Sequence, residues 1–300
     1  MRNFVIVADS TVDLDREIRE RFDIKYIPMH FSYDDNNFDA SLDWEGISAD
    51  RFYEMMSENI RFLTSQIIVP EFEAAFESYI NQGLDVLYIA CSSALSASVK
   101  ASYVARDNLA AKYPEAKIIC VDPLVTGGGQ AILCIKASKM RAEGKTIDEC
   151  AAWIEENKLS ANQLATVDKL SYLKRAGRVS AASAFFGGIL NIKPIIVSDV
   201  KGRNAGVEKV KGRKAALARM AEYLAEKYIP SEFPIFIHHA SCPEDVEILK
   251  SEVLARIPAG DTPEIHVGYI GPIIGSTTGP GSICLSFFGT PVTYDADNKQ

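Results

Sequence analysis

Hydroxyl-bearing residues recur in short turns where apolar runs stop. They are Asp9-Ser10-Thr11, Thr64-Ser65-Gln66, Ser92-Ser93-Ala94-Leu95-Ser96 and the glycine-rich run Gly275-Ser276-Thr277-Thr278-Gly279-Pro280-Gly281. Asp122-Pro123 closes another apolar run in the same way. Turns of this kind present hydroxyls and backbone N–H groups at helix starts, an arrangement suited to an anionic head group. None of them carries the acid, base or metal ligands that chemistry would need. The balance points to binding rather than catalysis.

The other reactive residues strengthen that balance. There are four histidines. His238 and His239 are neighbours on a strand-like run, so their side chains point to opposite faces and cannot share a metal ion. His30 and His266 stand alone. Cys91, Cys120, Cys134, Cys150, Cys242 and Cys284 are scattered, form no CxxC pair and read as buried thiols in a reducing compartment. Asp9 follows a strand and reads as a helix cap in preference to a magnesium ligand. Gly144-Lys145-Thr146 lacks the earlier glycine of a phosphate loop, that position being Lys139. Gly127-Gly128-Gly129 completes no dinucleotide fingerprint. The enzyme reading left open is a serine-dependent lipid or ester hydrolase using Ser93 or Ser96. It requires a histidine within reach, from His239 or His266.

The elements that must position these turns alternate through the first half. Strands are expected at Phe4–Ala8, Ile24–Met29, Val86–Ala90 and Ile118–Val121. Helices are expected at Leu14–Phe22, Ser48–Glu58, Phe72–Ile80, Ser96–Tyr113 and Gln130–Arg141, with a polar loop before Ser48. Strands alternating with helices imply a parallel sheet with helices on its faces. Thr146-Ile147-Asp148-Glu149 fits a capping box, as does Ser241-Cys242-Pro243-Glu244. From about residue 160 the rhythm changes to short strands around helices near 170–190, 213–227 and 243–256. The fold class is therefore α/β in two domains, a parallel α/β domain over 1–160 and an α+β domain over 161–300. The apolar segment Ala181–Leu190 reads as a core helix or as the lining of a pocket. Asp295–Gln300 reads as a frayed tail.

Composition narrows the function further. The 300 residues carry a formal net charge of -8, a poor match for nucleic acid, where phosphate contacts dominate affinity. The cluster Lys174, Arg175, Arg178 reads as a solvated face or a partner-docking surface, and Lys211 and Arg213 as solvated. No secretory leader is evident in the first residues, and no apolar run nears the roughly 18 residues of a membrane span. A cytoplasmic protein is expected.

Taken in order, the segments resemble the DegV family of fatty-acid-binding proteins over essentially the whole chain. The resemblance is carried by Asp9-Ser10-Thr11-Val12-Asp13-Leu14, Thr64-Ser65-Gln66, Ser92–Ser96, Leu173-Lys174-Arg175-Ala176-Gly177-Arg178-Val179-Ser180, Leu190-Asn191-Ile192-Lys193-Pro194, Ile270-Gly271-Pro272 and Thr278–Gly281. It implies two domains with one long-chain fatty acid in a tunnel between them and no cofactor. It places Thr64 and Ser96 at the carboxylate, with Ser65, Ser93 and Thr277 nearby, Lys211 near the head group, and Phe185 and Ile189 along the tunnel. It also implies a fatty acid kinase as a partner that phosphorylates the bound acid. Four positions depart from the family pattern. Thr277 stands where histidine is common, Ile67 where proline is usual, Ala97-Ser98 where Gly-Thr is usual, and Asp122-Pro123 in place of Asp-Thr.

Overall fold

The computed structural model describes residues 3–180 and 191–298. The first half runs β1 (Phe4–Asp9), a 3₁₀ turn (Ser10–Val12), α1 (Arg16–Arg21), β2 (Ile24–Ile27), β3 (His30–Tyr33), β4 (Asn36–Asp39), α2 (Ala49–Ser57), β5 (Leu63–Ser65) and α3 (Val69–Ile80). It continues with β6 (Asp85–Ile89), α4 (Ser98–Lys112), β7 (Ile118–Val121), α5 (Gly127–Ala142) and α6 (Ile147–Asn157). Four strands form a parallel sheet in the order β2-β1-β6-β7. Every residue of β1 is buried, as expected for a strand covered on both faces. Val5 and Val7 join one apolar cluster, while Phe4, Ile6 and Ala8 join another on the opposite face.

The second half contributes β8 (Ala161–Thr166), α7 (Leu170–Ala176), β9 (Val179–Ser180), β10 (Ile192–Ser198), β11 (Asn204–Lys211), α8 (Arg213–Lys227), β12 (Ile235–His239), α9 (Pro243–Leu254), β13 (Ile265–Tyr269), α10 (Pro272–Thr278) and β14 (Ile283–Phe288). Its mixed sheet has the order β13-β12-β14-β8-β10-β11-β9. The central pairings are antiparallel and the outer pairs, β12 with β13 and β11 with β9, are parallel. One face packs on α8 and α9 through Leu164, Ile195, Leu217, Ile235, Leu249 and Leu285. The other faces the first half. A single apolar cluster contains Val7, Phe52 and Tyr88 together with Ala165, Leu173, Ile196 and Cys284.

Side-chain caps set several helix starts. Asp15 accepts from Ile18 N–H at 2.9 Å, which delays α1 to Arg16. Thr146 and Glu149 form the expected capping box. The second expected box is absent. Ser241 is left-handed with φ 55°, its hydroxyl donates to Asp50 at 3.1 Å, and Cys242 is the N-cap without a side-chain bond.

Two further expectations are corrected. The polar loop before α2 contains a hairpin, β3 with β4, and β5 completes a three-stranded sheet in the order β4-β3-β5. Its turn places Asp34 and Asp35 both at positive φ, the conformation of a tight hairpin turn. The tail is anchored where the sequence suggested fraying. Lys201 and Arg203 pair with Asp295 and Asp297, and Ala296 N–H donates to Asp199. The Ala181–Leu190 segment lies outside the described residues, and with it Phe185 and Ile189.

Candidate functional site

Thr64 and Ser65 sit on β5, held in register by β3, with Phe31 opposite Thr64 and His30 opposite Ser65. Ser96 lies in the turn between β6 and α4. A short chain of hydrogen bonds joins the two segments. Ile67 N–H donates to Ser98 Oγ at 3.3 Å, Ser98 Oγ lies 3.0 Å from Ser96 Oγ, and Ser98 N–H donates to Ser96 Oγ at 3.2 Å. Ser96 thus caps the first turn of α4, although Ala97 holds the N-cap position and makes no side-chain bond. Ile67 supplies an N–H that a proline at this position would lack.

These segments border a cavity of about 230 Å³ between the two halves. Thr64, Ser65, Gln66, Ser96, Ala97 and Thr277 contribute polar or small groups to its wall. Met29, Leu95, Leu173, Val179, Ile196, Ile273 and Ile274 contribute apolar ones. An adjoining cavity of about 140 Å³ shares Thr64, Arg178 and Thr277 with the first and adds Arg61 and Arg175. No aspartate or glutamate stands among the described lining residues of either. An anion is therefore favoured where the two cavities meet. Arg178 is exposed and donates to the Ala176 carbonyl at 2.7 Å. Arg175 lies 4.7 Å over the Tyr172 ring.

The structure separates the expected site residues. Thr64, Ser65, Ser96 and Thr277 line the main cavity. Ser93 does not. Its backbone N–H donates to Asp122 Oδ1 at 3.2 Å. Its neighbour Ser92 is fully buried and donates to the Gly202 carbonyl at 2.8 Å, tying this turn to the second half. Lys211 is exposed at the end of β11 and is not on the cavity wall. Among the described residues the cation on the wall is Arg178, from the basic cluster that reads in sequence as a solvated face or a partner-docking surface.

The reactive alternatives find no support. The described cavity lining contains no histidine. His239 Nδ1 accepts from Cys242 N–H at 3.2 Å, and His266 Nε2 lies 3.2 Å from Glu264. Asp9 acts as the cap, accepting from Thr11 N–H at 3.0 Å, from Tyr88 OH at 2.9 Å and from Cys91 N–H at 2.6 Å. Among the described residues, no group of three or more His, Cys, Asp or Glu is placed to hold a metal ion. Cys91 and Cys284 line the cavity, but burial pushes both thiols well up, away from the thiolate that would react.

Comparison with known proteins places this architecture. Residues 3–290 match the family described as "Uncharacterised protein, DegV family". The chain belongs to the DegV family. A DegV domain-containing protein of Clostridium perfringens is 38% identical over 290 residues, covering 96% of this chain and 98% of that one. Among solved structures, a DegV family protein from Thermus thermophilus described as fatty-acid binding superposes with a TM-score of 0.83. It has 25% identity and covers 96% of this chain and 100% of its own. A fatty-acid-binding DegV family protein from Streptococcus agalactiae superposes at 0.84 with 22% identity, covering 97% and 100%, a likeness of fold. Among the described residues, no helix is long and apolar enough to cross a membrane.

Proposed function

We propose that this DegV protein holds a long-chain fatty acid in the cavity between its two sheet-bearing halves, divided near residue 160. The carboxylate lies at the end marked by Thr64, Ser96 and Thr277. The observation that carries this reading is the join of a hydroxyl- and arginine-bordered mouth to an apolar wall. The Thermus thermophilus relative, described as fatty-acid binding, supports the ligand class. Each buried methylene contributes about 0.8 kcal/mol, whereas a hydroxyl–carboxylate hydrogen bond contributes only about 1.5–3 kcal/mol. The acyl chain therefore sets affinity and the hydroxyls set orientation.

The protein on this reading is a cytoplasmic carrier without a reaction of its own. Its mouth leaves the carboxylate accessible to a fatty acid kinase, and the exposed Arg61, Arg175 and Arg178 favour the negatively charged group being handled there. Native mass spectrometry of the purified protein, followed by denaturation and identification of released compounds, tests the ligand. A stoichiometric fatty acid is expected. A protein that arrives empty and takes up no added fatty acid would overturn the reading.

A further inference from the structure

The sheet floor of the cavity is not uniformly apolar. Strand register aligns Cys284, Ala165, Ile196 and Gly206 across β14, β8, β10 and β11, a rung of small and apolar residues. Two residues further along, on the same face by the period of a pleated strand, the next rung is polar. It runs Ser286, Gln163, Ser198, Asn204, with Ser286 opposite Gln163 and Ser198 opposite Asn204. Gln163 and Ser198 both line the cavity.

Ser198 is 4% exposed, and its hydroxyl has no hydrogen-bond partner among the described residues. The Gln163 side chain accepts from Thr126 N–H at 3.3 Å through its carbonyl oxygen, which leaves its NH₂ group as the donor on that side chain. Buried hydroxyls are rarely left unpaired, and a plain hydrocarbon end beside this pair would keep both groups from water without replacing it. One end of the polar rung, Asn204, pairs with Val179, the neighbour of Arg178. The mouth shares Thr64, Arg178 and Thr277 with the arginine-lined cavity, whereas Gln163 and Ser198 adjoin a different small cavity bordered by Tyr223, Lys227 and Tyr294.

We infer that the cavity is matched to a fatty acid bearing an oxygen substituent, a hydroxyl or oxo group, on its chain, with Ser198 and Gln163 as the groups that receive it. This rests on the fatty-acid reading above. Ser198 is then a specificity-determining residue: it rejects a methylene and accepts an oxygen at one depth.

The test titrates the delipidated protein with ω-hydroxy fatty acids of increasing length beside plain acids of the same lengths. At the matching length, the wild type is expected to bind the hydroxy acid roughly two- to tenfold tighter than the plain acid, the range of one net hydrogen bond. Ser198→Ala should lose that preference and keep its affinity for plain acids. Should Ser198→Ala fold poorly, Ser198→Cys, close in volume and a weak hydrogen-bonding group, serves in its place. A wild type that prefers the plain acid at every length, or a preference unchanged in the variant, overturns the inference and leaves the fatty-acid reading standing. Failure of the wild type to bind either series overturns that reading itself.

Discussion

Thr64 and Ser96 reach the cavity from a strand and a helix-leading turn that are joined through Ile67 N–H and Ser98. Each hydroxyl offers a carboxylate one hydrogen bond, so Thr64→Ala or Ser96→Ala should weaken fatty acid binding by about 1.5–3 kcal/mol. Isothermal titration with a defined acid checks this, and loss of all binding in either folded variant would contradict it. Ser98 carries a different burden. It is fully buried, and Ser98→Ala leaves Ile67 N–H without its acceptor. The variant should lose about 1–3 kcal/mol of stability, read as a lower urea midpoint with an unchanged slope. The places of Thr64, Ser96 and Thr277 on the cavity wall were legible only through the ordered family motifs, because a hydroxyl in a turn serves as readily to cap a helix, as Ser96 also does. Arg178 was not, because an exposed cation in a basic run gives no sign of what lies beside it. Lys211, which the resemblance puts near the head group, is exposed and off the described cavity wall. Its place before a helix says nothing about which edge of the sheet it occupies.

At the scale of elements, α5 is the wedge between the two sheets. Its glycine run has no dinucleotide to cradle; a Cβ on Gly128 would stand 2.7 Å from Phe236 Cβ and 2.9 Å from Ser286 Cβ on the second sheet. Gly128→Ala must therefore push α5 off β12 and β14, at a cost of about 1–3 kcal/mol that outweighs alanine's better helix propensity. A denaturation curve at or above the wild-type midpoint would show that the sheets part without cost. The loop between β10 and β11 is fastened from the tail. Asp199, with no exposed side-chain surface, accepts from Arg203 Nε at 2.8 Å and Nη2 at 2.6 Å. Arg203→Ala should destabilise by about 1–3 kcal/mol, whereas Asp297→Asn, at an exposed pair, should leave the urea midpoint nearly unchanged. The strongly periodic strands and helices could be read from sequence because burial imposes the period. The β3–β4 hairpin could not, because all four residues of β4 are exposed and exposed strands need no apolar alternation. The tail's ion pairs join residues nearly a hundred positions apart in sequence, a separation that local pattern does not encode.

Across the whole molecule, the two halves meet at a buried polar joint. Asp13 Oδ1 accepts from Gly271 N–H at 3.0 Å, Tyr53 OH donates to the Ile270 carbonyl, and His238 is buried on β12. Burial pushes His238 down to about 3, with His239 and His266 adding in the same direction. The unfolded chain titrates that imidazole near 6.5. Between about pH 6.5 and pH 3 the unfolded state therefore binds a proton that the folded state does not. His238 then contributes a loss of stability on acidification of up to about 1.4 kcal/mol per pH unit. Asp13 acts in the opposite sense. Burial raises its carboxyl, so above the ordinary carboxylate range the folded state keeps a proton that the unfolded state releases, and stability from this group falls as pH rises. The two contributions oppose each other in mildly acidic solution, so the wild-type profile alone does not isolate either. Removing the imidazole does. His238→Asn should lose less stability than the wild type between pH 7 and pH 4.5, measured as the difference between urea unfolding free energies at the two values. Equal losses would mean that the joint stays closed in acid for reasons unrelated to His238, and that the halves are held by the apolar cluster they share.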